Sequence, residues 1–527
     1  MQPDADDANL PLRDAWAQRV GRSRDKRFLW TEGGVLTFGA AHDQIARIAH
    51  GLTDLGIVQG DIVAVAMANR ADDLLLHLAL QWVGAVTMPV QAAATFEELA
   101  FQLNHSQTRF LFAETALLDR LRPRLGELPG LTQLIATDGG PEASGPTLAS
   151  LRLAEPLPYR TLAGYSDLSP SALLYTSGSS GRPKGVLVPA GATLSVGEGV
   201  RVILSVEARD VVFLPTPLAH AVGLLTALGT CIRCGCALAM VDRFSPSQFW
   251  RQADASGATV CCLFPTHLNL LLEATPEPRS TSLRAIYTHA FNAEFVRRFD
   301  VDLHMCWGMT ETGAMQTMSE GLRTEPAAGY IGKAMAGVEV GCVGADNQPV
   351  PAGAVGELRL NHRHVMIGYH RDPESTAKVK HGDWISSGDL GRVDYEGRAY
   401  FEGRAKNVIK RSGENISAEE VENVLLQVPG VRECLVFGTP DPLRAEEVVA
   451  CLRIDTNARL DAAGLLAQAG ERLSRFKLPR FVSISQAPLP KLPNGKLDRQ
   501  TIVSSFSRDT VWDRERGAGA LRIERPS

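Results

Sequence analysis

The sequence predicts an α/β protein: a large multi-layered α/β N-terminal domain followed by a small α+β C-terminal domain. Three observations predict it. Between about residues 28 and 360, helical periodicity alternates with short β-rich runs, the signature of a mostly parallel sheet covered by helices. Past residue 404 the pattern resets into a second set of strands and helices. The 527 residues, 45% hydrophobic and 21% charged, have the composition of an ordinary globular chain long enough for more than one folding unit.

In chain order, the acidic opening MQPDADDANL has no apolar core and reads as a loose arm, not a signal peptide. Strands are expected at DIVAVAMAN (61–69), TRFLFA (108–113), SALLYTS (171–177) and DVVFLP (210–215). The longest apolar stretch, Leu74 to Ala94, is interrupted by His77, Gln81, Thr87, Pro89 and Gln91. A bilayer span needs about 20 mainly apolar residues, so a buried helix running into a strand is expected instead. Asp138 to Tyr159, rich in Gly, Pro, Glu and Ser, reads as a surface connection. Beyond 404, Ser417-Ala-Glu-Glu420 is a capping-box signature for a helix whose apolar face is Val421, Val424 and Leu425. ECLVFGT (433–439), EVVACLRI (447–454) and FVSISQ (481–486) read as strands, and Ala462 to Arg475 as a helix. The expected domains are 1–404 and 405–505, with 506–527 a tail of mixed charge and no period.

A count of 54 Lys and Arg against 59 Asp and Glu gives a net charge of −5, spread without a block of one sign. That leaves no basic footprint for nucleic acid. Nine scattered Cys, an odd number, form no disulfide framework and fit a reducing cytoplasm. Cys231, Cys234 and Cys236 have no second Cys or His pair at metal spacing, so they read as buried core thiols, not a zinc site.

The strongest local signal is Tyr175 to Gly185, YTSGSSGRPKG, directly after Ala172-Leu-Leu174. Small residues let backbone N–H groups turn inward around an anion; the hydroxyls of Thr176, Ser177, Ser179 and Ser180 add donors, and Lys184 adds positive charge. This spacing suits a phosphate-cradling loop. It is neither a Walker A loop nor a dinucleotide G-x-G-x-x-G, and a plain Gly/Ser linker would not carry the preceding strand and the Pro-Lys-Gly exit.

That segment resembles the signature loop of the adenylate-forming superfamily, which includes acyl-CoA synthetases and peptide-synthetase adenylation domains. Other motifs follow in order: Pro217-Leu-Ala-His220-Ala-Val-Gly223, Trp307-Gly-Met-Thr-Glu311-Thr, Gly356-Glu-Leu with Gly368-Tyr369, and Ser387-Gly-Asp389-Leu-Gly391. Gly403-Arg404-Ala-Lys406, Ser412-Gly-Glu-Asn-Ile416 with Glu420-Val-Glu422, and Pro493-Asn-Gly-Lys496-Leu-Asp-Arg499 complete the series. The nearest subfamily by resemblance is the crotonobetaine/carnitine-CoA ligase type, because Ile409-Lys-Arg-Ser-Gly-Glu-Asn-Ile416 is similar to it.

The resemblance implies an acetyl-CoA synthetase-like large domain and a mobile lid that carries the catalytic Lys496 and swings about Lys406. It implies ATP and Mg²⁺ as cofactors and coenzyme A as co-substrate. ATP or AMP would be held by Thr176, Ser177, Gly178, Ser179, Ser180, Gly181, Lys184, Trp307, Gly308, Met309, Thr310, Glu311, Asp389, Arg404 and Lys496. Glu311 and Thr176 offer hard oxygens for Mg²⁺, Trp307 would lie against adenine, and Asp389 would meet the ribose. His220, Ala221, Gly223, Ala290, Phe291 and Trp307 would line the acid pocket, with His267, His289 and His304 as further candidates near it. Arg411, Ser412 and Gly413 would line the coenzyme A path. The implied catalytic set is Lys496, Thr176, Glu311, Arg404 and His220.

Three segments depart from the family pattern. Thr288-His-Ala-Phe-Asn292 replaces its Gly-Gly-x-Pro turn, Asn407 stands where Asp is usual, and Asn361-His-Arg-His364 replaces Arg-Gly-Pro. The implied reaction is ATP-dependent formation of an acyl-AMP with release of pyrophosphate, then transfer to coenzyme A. The alternatives are transfer to an amine or a carrier protein, including activation of nitrite, and a catalytically silent binding member of the fold. A cytoplasmic enzyme with a small-molecule acid substrate, no nucleic-acid or membrane partner, and a homodimer as one open assembly state are the remaining expectations.

Overall fold

The computed structural model describes residues 9–91, 94, 96–140, 145–176, 183–404, 407–411, 414–442, 444–458, 460–473, 475–492 and 495–516. The chain divides into two compact units. The first holds Met1–Gly341, Arg359–Ser387 and Tyr395–Ala399. The second holds Cys342–Leu358, Gly388–Asp394 and Tyr400–Ser527.

In the first unit one sheet runs in the order Gly368–Tyr369, Lys184–Pro189, Pro170–Thr176, Val86–Pro89, Ile62–Ala66, Phe110–Ala113, Gln133–Ala136. Its last five strands are mutually parallel; Lys184–Pro189 is antiparallel to both of its neighbours. A second sheet has a parallel centre, Arg27–Thr31, Ala237–Met240, Val211–Leu214, Val260–Cys262, Ala285–Thr288 and Asp302–Met309.

Both sheets are apolar on both faces, which is why their strands read as unbroken hydrophobic runs. Alternate residues serve different cores. Val63 and Val65 pack with Val212 and Leu214 around the helices Phe38–Asp54, Ala71–Trp82 and Ala192–Ile203, in a core shared by the two sheets. Ala64 and Ala66 face the helices Phe96–Ser106 and Thr115–Leu121 instead, while Val211 and Phe213 face Phe249–Ser256, Pro265–Ala274 and Ala293–Phe299. Layers of helix and sheet therefore alternate. Thr37 caps the helix Phe38–Asp54 by accepting from the Ala40 N–H, and Asp72 sits in the first turn of Ala71–Trp82, where the helix dipole favours negative charge. Among the described residues no helix is long and apolar enough to cross a membrane. Cys231 and Cys236 are core residues.

The second unit is built on the order Glu414–Ser417, Val408–Arg411, Ala445–Ile454, Phe481–Ser485, Trp512–Asp513, with Val431–Asp441 also paired to Ala445–Ile454. Val448, Ala450 and Leu452 face the helices Ala418–Leu426 and Ala462–Ala469; Val449 and Cys451 face Ile502 and Val511.

Three expectations are corrected. The connection 138–159 contains the helix Leu148–Leu151, started by a Thr147–Ser150 capping box, and Leu148 is fully buried. The helix expected to reach Arg475 ends at Ala469. The stretch from 506, expected as a tail, contributes Phe506 and Val511 to the core, and Trp512–Asp513 pairs with Phe481–Ser485. Its apolar residues are too widely spaced to show a period in sequence, and a two-residue edge strand gives no signal.

Candidate active site

The first-unit candidates follow the carboxyl ends of strands Pro170–Thr176, Val211–Leu214, Ala285–Thr288 and Asp302–Met309, where open α/β sheets bind ligands. Thr176 and Lys184 are register partners across an antiparallel ladder, preceded by Tyr175 opposite Gly185. Both ends of the loop 177–183 are thus set by one hairpin. Tyr175 is anchored from behind, its hydroxyl 2.8 Å from Nδ1 of His105 and 3.3 Å from the Gln102 carbonyl. Ser177, Gly178, Ser179, Ser180 and Gly181 lie outside the described residues, as do Lys406, Ser412 and Gly413.

Trp307 and Gly308 end the strand Asp302–Met309, and Glu311 lies in the single turn Thr310–Thr312. Gly308 is required by close approach: a Cβ there would stand 2.1 Å from the Ala314 carbonyl oxygen. The turn is pinned by the Thr312 hydroxyl, which accepts from the Met309 N–H at 3.1 Å. Glu311 is buried, and the Tyr369 hydroxyl donates to its Oε1 at 2.8 Å. The Lys184 ammonium stands 4.8 Å from the centroid of the same tyrosine ring. Burial, together with the Glu311 charge, pushes the Tyr369 hydroxyl well above its usual value, so it remains a donor. One side chain therefore joins the cation at the loop's exit to the carboxylate expected to face Mg²⁺.

Tyr369 lies within the Gly368-Tyr369 motif, which by itself assigns it no role, and what holds the segment in front of it is not local in sequence. The Met366 N–H donates to the Glu311 carbonyl at 2.8 Å. Two residues earlier, buried His364 places Nε2 2.8 Å from Asp167 and Nδ1 2.6 Å from the Ser195 hydroxyl, while Arg363 donates to Asp167 at 2.7 Å. Burial would raise the Asp167 carboxyl, but Arg363 and His364 hold it below the usual carboxylate range. The same burial lowers His364, against the pull of Asp167. The departure Asn361-His-Arg-His364 was the available signal, because two imidazoles replace a Gly-Pro turn.

Near the expected acid pocket, Asn69 fixes the approach to His220, donating to the Thr216 carbonyl at 2.8 Å and accepting from the Leu218 N–H at 2.7 Å. His220 is exposed, Ala221 buried, and Gly223 lies in the π-helical segment Val222–Ala227. His220 and His289 both border the ring of Phe264, and Ala290 and Phe291 are half-buried just beyond. His304 is displaced from the candidates: it is buried with Nδ1 2.9 Å from the Ser319 carbonyl, a core residue of the sheet.

In the second unit Asp389 is buried in the strand Trp384–Val393, and Arg404 ends the strand Arg398–Arg404. Lys496 is exposed on a turn closed by hydrogen bonds between Leu492 and Lys496 and from Gly495 to Leu492, with Gly495 at φ +81°. Arg411, expected along the coenzyme A path, has its guanidinium on Glu447 at 2.7 Å and on the Phe476 carbonyl at 2.9 Å. Burial would raise Glu447, but Arg411 and Arg444 hold it below the usual range, which gives Arg411 a structural task.

A layered α/β unit with a Thr/Lys-flanked loop beside a buried, tyrosine-held carboxylate, followed by a small unit with an exposed loop lysine, defines a nucleotide-using acid-activating enzyme. The chain belongs to the AMP-binding enzyme family, whose profile matches residues 16–370, and the AMP-binding enzyme C-terminal domain matches residues 420–496. It is 32% identical to a sulfoacetate–CoA ligase of Cupriavidus necator over 507 residues, 93% of this chain and 96% of that one. It is 27% identical to a crotonobetaine/carnitine–CoA ligase of Salmonella heidelberg, covering 93% and 98%. Its fold matches the O-succinylbenzoate coenzyme A synthetase of Bacillus subtilis in complex with ATP and magnesium ion, with TM-score 0.81, 25% identity and coverage of 94% and 100%.

Proposed function

We propose that this chain is an AMP-forming acid–CoA ligase that works in two steps. In the first, the acid carboxylate attacks the α-phosphorus of ATP, forming an acyl-adenylate and releasing pyrophosphate. In the second, the thiol of coenzyme A attacks the acyl carbon, the acyl–oxygen bond breaks, and AMP leaves. The observation that carries this reading is the Lys184–Tyr369–Glu311 chain beside the hairpin that presents Thr176. It places a cation and a held carboxylate on either side of one tyrosine, as a polyphosphate with its metal requires.

The donor set fits Mg²⁺: a buried carboxylate and a hydroxyl are hard oxygens, and Mg²⁺ takes few protein ligands beside phosphate oxygens. Bound there, it would offset phosphate charge. Glu311 and Thr176 would hold it, Lys184 would meet the phosphates, Trp307 would face the base and Asp389 the ribose. Lys496, exposed on its turn, is the residue that the family resemblance assigns to the charge that builds between carboxylate and α-phosphate. The two relatives act on acids whose far ends carry opposite charges, sulfonate in one and quaternary ammonium in the other. A cytoplasmic setting, where ATP and coenzyme A are available, accords with this reading.

The test is incubation with ATP, Mg²⁺ and a panel of acids, with and without coenzyme A. Acyl-CoA formation with stoichiometric AMP is expected. AMP release that coenzyme A leaves unchanged, with no thioester formed, would exclude the second step.

A further inference from the structure

Lys496 stands on a hairpin too short to hold itself. Its arms, 489–492 and 496–499, meet through the bridge between Lys491 and Leu497 and through backbone hydrogen bonds, from the Leu492 N–H to the Lys496 carbonyl at 2.8 Å and from the Asp498 N–H to the Pro490 carbonyl at 2.8 Å. An isolated two-stranded hairpin is marginally stable in water. What fixes the backbone beneath Lys496 therefore comes from outside the hairpin.

Both arms are tied to one strand, Val431–Asp441. On the first arm, Glu433 takes the Lys491 ammonium on Oε1 at 2.7 Å and the Leu489 N–H on Oε2 at 2.9 Å. On the second, the Arg499 guanidinium donates to the Val436 carbonyl at 3.1 Å, and Leu497 packs with Leu489 against the core that holds Leu435 and Phe437. The Glu433 carboxylate is itself aimed: Arg453, its register partner on the strand Ala445–Ile454, donates to Oε1 at 3.1 Å, and the side chain is only 11% exposed. Burial would raise this carboxyl, but Lys491, the Leu489 N–H and Arg453 hold it below the usual carboxylate range, so it stays charged at neutral pH.

We propose that Glu433 is a positioning residue for the acid-activating step: by gripping the first arm of the hairpin at Leu489 and Lys491, it sets the point from which the Lys496 ammonium reaches out. The proposal rests on the assignment of Lys496 to that step and deepens it. A lysine stem is flexible, so the fold can fix only its backbone origin. A displacement of about 1 Å at a reacting centre can cost on the order of a hundredfold in rate, which makes that origin matter. Glu433 acts through the hairpin and touches neither ATP nor acid.

Adenylation is read by ATP–pyrophosphate exchange with an acid that the parent activates, and thioester formation is timed separately from supplied acyl-adenylate. Glu433→Gln keeps an acceptor for the Leu489 N–H but gives up the charge that holds Lys491, while Lys491→Met removes the same ion pair from its exposed side. Each should slow exchange about tenfold, chiefly in kcat, and leave thioester formation within about twofold of the parent. The double variant should be no slower than the slower single one, because both remove one interaction. Exchange at the parent rate in Glu433→Gln overturns the proposal, and so does an equal slowing of both half-reactions, which lost stability alone would give. Losses that multiply in the double variant also overturn it, since Lys491 would then act apart from Glu433. Lys496→Ala separates the two readings. Exchange lost there but intact in Glu433→Gln removes only the positioning role, whereas exchange intact in Lys496→Ala removes the lysine's assignment and the proposal together.

Discussion

Replacing Tyr369 by Phe isolates one hydrogen bond at the heart of the site. The hydroxyl donates to Glu311 Oε1 at 2.8 Å, and the carboxylate is only 7% exposed. Phe keeps the ring under the Lys184 ammonium, 4.8 Å from its centroid, and the Met366 N–H still holds the Glu311 carbonyl. Only the hydroxyl is lost. A hydrogen bond to a charged group contributes about 1.5–3 kcal/mol, and about 1.36 kcal/mol is tenfold in rate, so Tyr369→Phe should lose about 10- to 150-fold in kcat/KM. The assay is ATP–pyrophosphate exchange across a Mg²⁺ titration, with direct binding of a Mg²⁺-bound non-hydrolysable ATP analogue measured by calorimetry. If Glu311 serves the metal, half-saturation should move to higher Mg²⁺ and the analogue should bind more weakly. A rate and a Mg²⁺ requirement equal to the parent's would refute the reasoning, and a slower rate with unmoved Mg²⁺ dependence would refute the metal assignment.

Lys496→Ala should cut adenylation at least a hundredfold yet spare thioester formation from supplied acyl-adenylate; equal loss in both half-reactions, each timed separately, would argue against the lysine's assignment. His364→Ala leaves Asp167 and Ser195 without their shared partner and should cost about 2–3 kcal/mol in denaturant unfolding. It should also weaken exchange, because Met366 and Tyr369 follow on the same segment. Glu422 has its carboxyl pushed up to about 7 from 4.5, mainly by burial, so the folded state binds its proton more tightly than the unfolded chain does. Its contribution is full below pH 4.5 and is lost as pH rises through 7. Glu422→Gln keeps an acceptor for the Val436 N–H and should stabilise the second unit above pH 7 by at most about 3 kcal/mol, with little change near pH 4.5, as read from denaturant unfolding at both pH values.

The elements legible in the sequence were those with a periodic cause. Strands buried on both faces show as apolar runs, as in Ile62–Ala66 and Val211–Leu214, and Gly495 announces a turn that only a positive φ satisfies. That Thr176 and Lys184 stand opposite each other was legible because they flank one contiguous motif. The latch of Asp167, Ser195 and His364 was not, since its members are separated by 28 and 169 residues (195 − 167 and 364 − 195) and no local pattern relates them. The ion pair of Arg411 was hidden for the same reason: its partner Glu447 lies 36 residues away, on a neighbouring strand. His304 could not be told from His289, because whether an imidazole faces core or cleft depends on the pleat at a strand's end.

An enzyme that makes an acyl-adenylate holds an electrophile able to acylate any ready thiolate, its own included. Cys306 stands beside His289, its sulfur 3.9 Å from Nδ1, but that nitrogen faces the Cys306 carbonyl at 3.0 Å and so donates there instead of taking the thiol's proton. Here the thiol is 1% exposed, donates to the Thr288 carbonyl at 3.2 Å, and is pushed far above its usual value by burial. The strand Asp302–Met309 thereby keeps this one thiol from acting as a nucleophile toward an acyl-adenylate.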